Sequence, residues 1–387
     1  MDKKRKINII IAIVAISFIQ GLQYCVSPVL GQIQDHFTGV DVSLIQMLIT
    51  APALLSMVVA LISGGLVLKI SKKKLLVFAG LISGVTGFLP FLYDGFTLLF
   101  LSRTVYGIGL GLACTLNTAV VAEFFEGDER VSVMGIQAAS IGAGMVIITT
   151  FGGKLGAAGF RYSYLINVIG FISMILIALL LPETGTVKPG PTSGIRLNKE
   201  VFKISLLGMM EFLFLITFTT NIAMHISGDL AGDSGIIGVL TGIFSGSQIV
   251  MGLILGYVTK VTKKYSLPVA MLSFSAGTVL LVCFPSNYLV LMIAAVLCGF
   301  SQGMFIPQAM VDVANAVEPV ATAMASACFT CAMCLGQFIS PTVLNTVSGI
   351  IFGETTTTNV YKIAGVGMAV TALIVIIQKS RSRELTH

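Results

Sequence analysis

The chain has 387 residues, of which 56% are hydrophobic and only 10% are charged, and its mean hydropathy is +0.97. A soluble domain carries about 25% charged residues, so this composition excludes a soluble protein, and the length does not indicate two or three soluble domains. The formal net charge of +6 would suit a nucleic-acid partner, but the placement of the cations along the chain argues against one.

Apolar segments of membrane-spanning length follow one another from end to end of the chain. A helix needs about 20 residues to cross about 30 Å of hydrocarbon, and these runs do not resemble the alternating strands of about ten residues that build a membrane barrel. We therefore predict an all-α membrane protein with twelve transmembrane helices. The predicted segments are residues 7–29, 44–67, 75–93, 97–122, 132–153, 163–182, 202–224, 235–258, 267–285, 288–311, 319–344 and 360–378.

Lysine and arginine concentrate on one side of these predicted helices. The N-terminal "MDKKRK" precedes an apolar run that is too long for a signal peptide, so we interpret it as an uncleaved first helix. With the N-terminus inside, all of the 23 cations except Arg103, Lys154, Arg161 and Lys362 fall on the inner side or at the termini that face it. The positive-inside rule then predicts an inner-membrane, multi-pass protein with both termini cytoplasmic and no nucleic-acid partner.

The sequence pattern also repeats after about half of the chain. We predict an N-terminal six-helix bundle over residues 1–182, a cytoplasmic linker over 183–200 and a C-terminal six-helix bundle over 201–387, with the substrate site between related halves as in secondary transporters. Pairs that lie 191 or 192 positions apart occupy the same place in the two halves: Lys72 and Lys263, Lys73 and Lys264, Gly107 and Gly299, and Gly144 and Gly336.

The stretch "GGLVLKISKKK", between the second and third helices, resembles the first signature of the major facilitator superfamily. Leu68 stands where that family usually has Asp, and Ser71 stands where it usually has Gly. The resemblance implies that the matching residues take part in gating, and the missing Asp implies that the gate is held more weakly or elsewhere. The matching residues are Gly64, Leu66, Lys69, Lys72 and Lys73.

Three further segments resemble signatures of the same family in the expected order. "LFLSRTVYGIGLG" is similar to its fourth-helix signature, and "GFRYSYLIN" to the segment entering its sixth helix, with Phe160 in place of Trp. "GMVIITTFGG" keeps the glycine spacing of the antiporter signature, but Ile148 and Thr149 replace its Gly-Pro pair. The resemblance implies the major facilitator fold, two pseudo-symmetric six-helix bundles, closest to the drug/proton antiporter-like branch, with Arg103 in proton transfer.

Two motifs that suggest an enzyme or a metal site are better explained by helix packing. "GFSQG" matches G-x-S-x-G, but it lies inside an apolar helix without the strand-turn-helix context of a nucleophile elbow. "CFTCAMC" places three cysteines on one helix, without the fourth thiolate and the exposed loop that an iron–sulfur cluster needs. We therefore predict no enzymatic activity, no catalytic residue, no metal and no cofactor.

Polar residues deep within the predicted helices are the candidates for substrate binding. Polar groups are costly in lipid, so each one needs a reason, and for any single one the alternative is a hydrogen bond between helices. Depth follows from the distance to the helix ends at about 1.5 Å per residue. The predicted substrate-binding residues are Gln20, Tyr24, Tyr106, Ser140, Asn221, Gln248 and Gln302.

Arg103 and Glu211 are the two ionisable residues that the prediction embeds in the membrane. Arg103 is able to pair with substrate, with a backbone carbonyl or with a carboxylate. Glu211 lies about ten residues from the inner end of the seventh helix, near the midplane, where poor solvation favours the protonated carboxyl. We predict that Glu211 is the proton-coupling carboxylate, and the alternative is a permanently protonated Glu that only bonds across helices. Gln20 stands 191 positions earlier, so the first half carries an amide there.

These features favour a secondary active transporter that moves a small organic solute by alternating access. The first hypothesis is proton-coupled efflux of a largely apolar compound, because the 17 Met and 24 Phe residues are able to repack around varied ligands. The alternative is symport or facilitated uptake of a nutrient or small organic anion, with Arg103 contacting the anion. The expected partners are the substrate, protons and the lipid bilayer, and we expect the chain to function as a monomer.

Overall fold

A computed structural model describes residues 3–184, 198–318 and 322–384, in which the regular secondary structure is helical throughout. Most of the predicted linker, including Lys188 and Arg196, lies outside the described residues. The chain divides into two compact units, unit 1 (Met1–Ser193 with Ile237–Val239) and unit 2 (Gly194–Ile236 with Leu240–His387).

Each unit is a bundle of antiparallel helices joined by short connections. The helices of unit 1 are α1 (Lys3–Gly21), α2 (Leu30–His36), α3 (Val42–Leu66), α4 (Lys72–Leu92), α5 (Phe96–Phe124), α6 (Gly127–Gly156), α7 (Phe160–Ser163) and α8 (Val168–Leu180). Those of unit 2, apart from the three residues of α11 grouped with unit 1, are α9 (Lys199–Leu215), α10 (Thr217–His225), α11 (Ser234–Thr262), α12 (Ser266–Cys283), α13 (Tyr288–Asn315), α14 (Thr322–Phe352) and α15 (Thr357–Glu384).

The described helices supply twelve membrane spans. Eleven stretches are long and apolar enough to cross a membrane, and one of these, Ser234–Cys283, is 50 residues long. A single helix of that length would extend about 75 Å, more than twice the hydrocarbon thickness. The stretch contains α11 and α12, joined by the 3₁₀ turn Lys263–Tyr265, where Lys263 has a φ of +49°. Counting it as two spans confirms the predicted twelve.

The first span is interrupted where the sequence predicted a continuous helix. Two 3₁₀ segments, Leu22–Tyr24 and Ser27–Val29, separate α1 from α2. Pro28 has no N–H to donate and therefore cannot continue the helical hydrogen-bond ladder. The helix then resumes and extends to His36, into a stretch predicted as a loop. Freed backbone carbonyls at such a break need other donors inside a membrane.

The seventh span has a milder break at Ile216, between α9 and α10. Hydroxyl groups supply hydrogen bonds to the carbonyls around it. Thr217 Oγ1 donates to the carbonyl oxygen of Phe214 at 2.5 Å, and Thr220 Oγ1 donates to that of Ile216 at 3.1 Å. Such side-chain bonds to the preceding turn are known to bend helices. The sixth span is likewise interrupted, by the 3₁₀ segment Tyr164–Asn167.

The predicted repeat is present in the helix packing of each unit. A Cβ atom built on Gly107 would lie 2.3 Å from the carbonyl oxygen of Pro52, and one on Gly299 would lie 2.2 Å from that of Phe244. Phe244 follows Pro52 by the same 192 positions that separate the two glycines. Bare glycine faces let membrane helices approach closely, so α3 packs on α5 as α11 packs on α13.

Candidate functional site

Glu211 lies completely buried within unit 2 and touches one hydrogen-bond donor. Ser301 Oγ donates to Glu211 Oε1 at 2.9 Å, whereas Oε2 is buried without a hydrogen-bond partner among the described residues. The two residues come from α9 and α13. The flanking glycines, Gly299 and Gly303, press α13 against the backbone of α11, so Ser301 is held on a tightly packed helix. An ionised carboxylate with a single donor is poorly compensated, and a protonated one is readily accommodated.

A second polar pair lies one residue further along α13. Gln248 Nε2 on α11 donates to Gln302 Oε1 at 2.9 Å. Gln302 is 7% exposed and Gln248 is half-buried. Both predicted residues are therefore brought together within unit 2.

Asn221 lies on α10, on the C-terminal side of the break in the seventh span. Its Nδ2 donates to the carbonyl oxygen of Thr217 and to Thr220 Oγ1, both at 3.1 Å. On the same helix the ring of Phe218 stacks on that of Phe244 with the ring centroids 4.7 Å apart. All three side chains are buried, with Asn221 1%, Phe218 0% and Phe244 1% exposed, so they pack against each other inside unit 2.

The predicted binding residues of unit 1 are engaged in contacts within that unit. Gln20 Nε2 donates to the carbonyl oxygen of Ala113 at 3.4 Å, and Tyr106 Oη donates to that of Ile19 at 2.6 Å. Tyr106 is fully buried and Tyr24 is 7% exposed. Ser140 Oγ donates to Ile136 within its own helix at 2.6 Å and remains half-exposed.

Arg103 is completely buried, and its guanidinium group ties three spans together. It lies on α5 and points into the break of the first span, where the Leu22 carbonyl oxygen also accepts a 3₁₀-type bond from the Cys25 N–H at 3.3 Å. Among the described residues it forms no ion pair with a carboxylate, so the carbonyl alternative of the sequence analysis is the one observed. Its donors reach the carbonyl oxygens of Leu48 at 3.0 Å, Leu22 at 3.4 Å and Gln23, with Cys25 Sγ at 3.6 Å and the Tyr106 ring at 5.0 Å.

The residues that match the first family signature surround the turn between α3 and α4. Lys72 Nζ lies 2.6 Å from Glu123 Oε2 and is 8% exposed, whereas Lys69 is exposed. The Lys72–Glu123 pair lines a cavity of about 480 Å³ between α3 and α5, together with Gly64. Leu66 ends α3, and Lys73 is half-buried.

Sequence reasoning missed two partners of these residues. Ser301 was recognised only as part of a misleading G-x-S-x-G match, although it is the residue that contacts Glu211. Glu123 was not among the predicted residues, although the opposite charge of Lys72 at a neighbouring helix end was an available signal. An unpredicted network also crosses unit 1, in which Asn117 Nδ2 donates to Ser17 Oγ at 3.0 Å.

Comparisons with known proteins agree on one family. The family model described as Major Facilitator Superfamily matches residues 11–220 and again residues 204–386. The quinolone resistance protein NorA of Staphylococcus aureus (strain MSSA476) is 22% identical over 371 residues, which cover 89% of this chain and 89% of that protein.

Solved structures share the fold over nearly the whole chain. The crystal structure of the peptide transporter POT in complex with sulfate has a TM-score of 0.78 at 12% identity and covers 98% of this chain and 99% of that one. That of a D-xylose–proton symporter has a TM-score of 0.75 at 14% identity, with 95% and 97% covered. At these identities the likeness concerns the fold alone.

Proposed function

Because the chain belongs to the Major Facilitator Superfamily and is a membrane transporter rather than an enzyme, we propose that it exports a small, largely apolar organic compound in exchange for protons. The observation that carries this proposal is the isolation of Glu211. A fully buried carboxyl group with one donor and one unpartnered oxygen is costly to leave ionised. Such a group takes and releases a proton when access to water changes, which alternating access provides.

The direction of transport is proposed from the likeness to NorA, whose name records quinolone resistance. The composition of the chain agrees with it, because its 17 Met and 24 Phe residues are able to repack around varied apolar ligands.

The alternative of organic-anion uptake loses its main support at Arg103. The guanidinium donors are occupied by three carbonyl oxygens and a sulfur within unit 1, and the side chain has no exposed surface. An anion would have to displace several of these bonds. We propose that Arg103 contributes to coupling indirectly, by holding the break in the first span.

We propose that the substrate contacts the polar residues named from the sequence and that the turn after α3 forms part of the gate. In unit 2 the candidates are the Gln248–Gln302 pair and Asn221. In unit 1 the half-exposed Gln20 and Ser140 are accessible, whereas Tyr24 and Tyr106 act as supports of the site.

The orientation proposed is cytoplasmic for both termini, on the positive-inside rule. A reporter fused after Lys264 is expected to be cytoplasmic and one fused near Asp229 external. Reversed signals would overturn the orientation while leaving the membership of the family intact.

The function is tested in sealed proteoliposomes with a fluorescent quinolone as the probe. The wild-type protein is expected to accumulate the probe when a pH gradient is imposed. Glu211→Gln keeps the shape and hydrogen bonding of the side chain but cannot ionise, so it should lose accumulation while still exchanging probe across the membrane. Glu354→Gln, at an exposed position, is the matched control and should behave as wild type.

Full accumulation by the Glu211→Gln variant would place the coupling site elsewhere. No movement of the probe by the wild-type protein, together with no quinolone-induced stabilisation of the purified chain, would reject this class of substrate.

A further inference from the structure

A basic cavity lies at one end of unit 1 and shares only Lys73 with the residues proposed for transport. Its volume is about 380 Å³. The lining combines three cations and one amide with an apolar wall from the end of α8. The lining residues are Lys4, Arg5, Asn8, Lys73, Leu179, Leu180, Leu181 and Pro182.

The three cations of this cavity have no charged partner among the described residues. Lys4, Arg5 and Lys73 form no ion pair with any carboxylate in the part of the chain that the structure describes. Their sequence neighbours differ, because Lys6 pairs with Glu129 and Lys72 pairs with Glu123. Like charges gathered around one cavity repel each other, so an anion bound among them would relieve that repulsion.

The walls of the cavity are fixed to each other by hydrogen bonds. The backbone N–H of Lys73, at the start of α4, donates to Thr184 Oγ1 at 3.0 Å, just beyond the end of α8. Ser71 Oγ donates to Glu183 Oε1 at 3.0 Å. These two bonds join the start of α4 to the segment just after α8, and Glu183, which follows the lining residue Pro182 in sequence, accepts one of them.

The cavity also has an apolar edge, formed by residues at the end of α8. The whole cavity is formed by the starts of the first and third spans and the end of the sixth. These three ends lie at the same membrane face because consecutive spans alternate in direction. Leu179 is 76% exposed and Leu181 is 1% exposed. An occupant would therefore meet charge at one end and aliphatic side chains at the other.

We propose that this cavity binds the phosphate headgroup of an anionic phospholipid, with one acyl chain lying along Leu179. Basic pockets between membrane helices are suited to such headgroups. A free phosphate ion would use the three cations equally well but would leave the apolar edge without a partner. The site is independent of the proposed substrate and of the direction of transport.

The test is native mass spectrometry of the full chain, incubated with equal amounts of dioleoyl-phosphatidylglycerol and dioleoyl-phosphatidylcholine. The wild-type protein is expected to retain one phosphatidylglycerol in preference. Each cation that lines the cavity and reaches the headgroup is expected to contribute about fivefold in affinity. The triple variant Lys4→Gln, Arg5→Gln, Lys73→Gln should therefore bind the lipid about a hundredfold more weakly.

A charge-matched control separates a built site from general attraction. The variant Lys3→Gln, Lys74→Gln, Lys199→Gln removes three exposed cations that do not line the cavity, and it should bind within about twofold of wild type. Equal losses in both triple variants, or equal retention of phosphatidylcholine by the wild-type protein, would overturn the site.

A further arm adds millimolar inorganic phosphate. Retention of the bound lipid supports the lipid as the occupant, and displacement by phosphate would overturn it. If the triple variant is not monodisperse, the single variant Lys73→Gln is measured in its place, and its affinity for phosphatidylglycerol should fall about fivefold.

Discussion

Ser301 Oγ donates to Glu211 Oε1 at 2.9 Å, and it is the one hydrogen bond that the carboxyl group receives from the described residues. A buried carboxyl group that receives a single hydrogen bond relies on that donor for its position. The proposed coupling therefore depends on both residues.

Ser301→Ala should lower proton-driven accumulation of the probe by about tenfold, because a hydrogen bond to a charged group contributes about 1.5–3 kcal/mol. Removal of the donor leaves both carboxyl oxygens of Glu211 without a hydrogen-bond partner among the described residues. The readout is the pH profile of quinolone accumulation in proteoliposomes. Ser340→Ala is the matched control, since Ser340 Oγ donates to the carbonyl oxygen of Leu213 at 2.6 Å in the same unit. Identical profiles for Ser301→Ala and wild type would contradict the assignment.

Gly107→Ala and Gly299→Ala should each lower the yield of monodisperse protein and its melting temperature. The added methyl group would meet a backbone carbonyl at 2.3 Å or 2.2 Å, and overpacking of this kind costs about 1–3 kcal/mol. Gly135→Ala and Gly252→Ala are the controls, because no atom lies within 4 Å of a Cβ at either site. Equal melting temperatures for the two sets would show that the close helix approach is not required.

Arg103→Lys should destabilise the protein even though it keeps the positive charge. A lysine presents a compact ammonium group and cannot reach several carbonyls in the fork geometry of a guanidinium. With three carbonyl acceptors affected, a loss of about 3 kcal/mol or more is expected. Arg161→Lys serves for comparison, because Arg161 Nη2 donates to the Phe91 carbonyl oxygen at 2.6 Å from a half-exposed position. Thermal unfolding in detergent measures both, and equal effects would argue against the role of Arg103 at the break.

The Lys72–Glu123 pair should show measurable coupling in a double-mutant cycle of Lys72→Met and Glu123→Gln. The pair is largely shielded, so a coupling energy of about 1 kcal/mol or more is expected. The exposed Lys203–Glu200 pair, with 69% and 60% of its side chains exposed, should give no more than about 0.5 kcal/mol. Equal coupling energies for the two pairs would mean that burial does not strengthen the Lys72–Glu123 interaction.

The twelve spans and the repeated glycines were predictable because apolar length and recurring spacing are local properties of the sequence. The break at Ile216 was not, since no proline or glycine marks it and hydroxyls from Thr217 and Thr220 support it only once the helix has bent. The contacts of Arg103 were not predictable either, because they depend on where the first helical span is interrupted and which carbonyl oxygens are exposed there. Ser301 and Glu211 are 90 residues apart, and only the packing of α9 on α13 brings them together.

Of the two related six-helix halves, only the second carries a buried carboxylate among the described residues. Glu211 is the one fully buried carboxylate among the described residues, and the equivalent position in unit 1 is Gln20. A stoichiometry of one proton per cycle follows from the proposed role. Export of a neutral compound would then move one net charge, and a voltage of about 100 mV would add roughly fiftyfold to the gradient that the pH difference sustains. Export of a monovalent cation would be electroneutral, and each pH unit would sustain at most about a tenfold gradient.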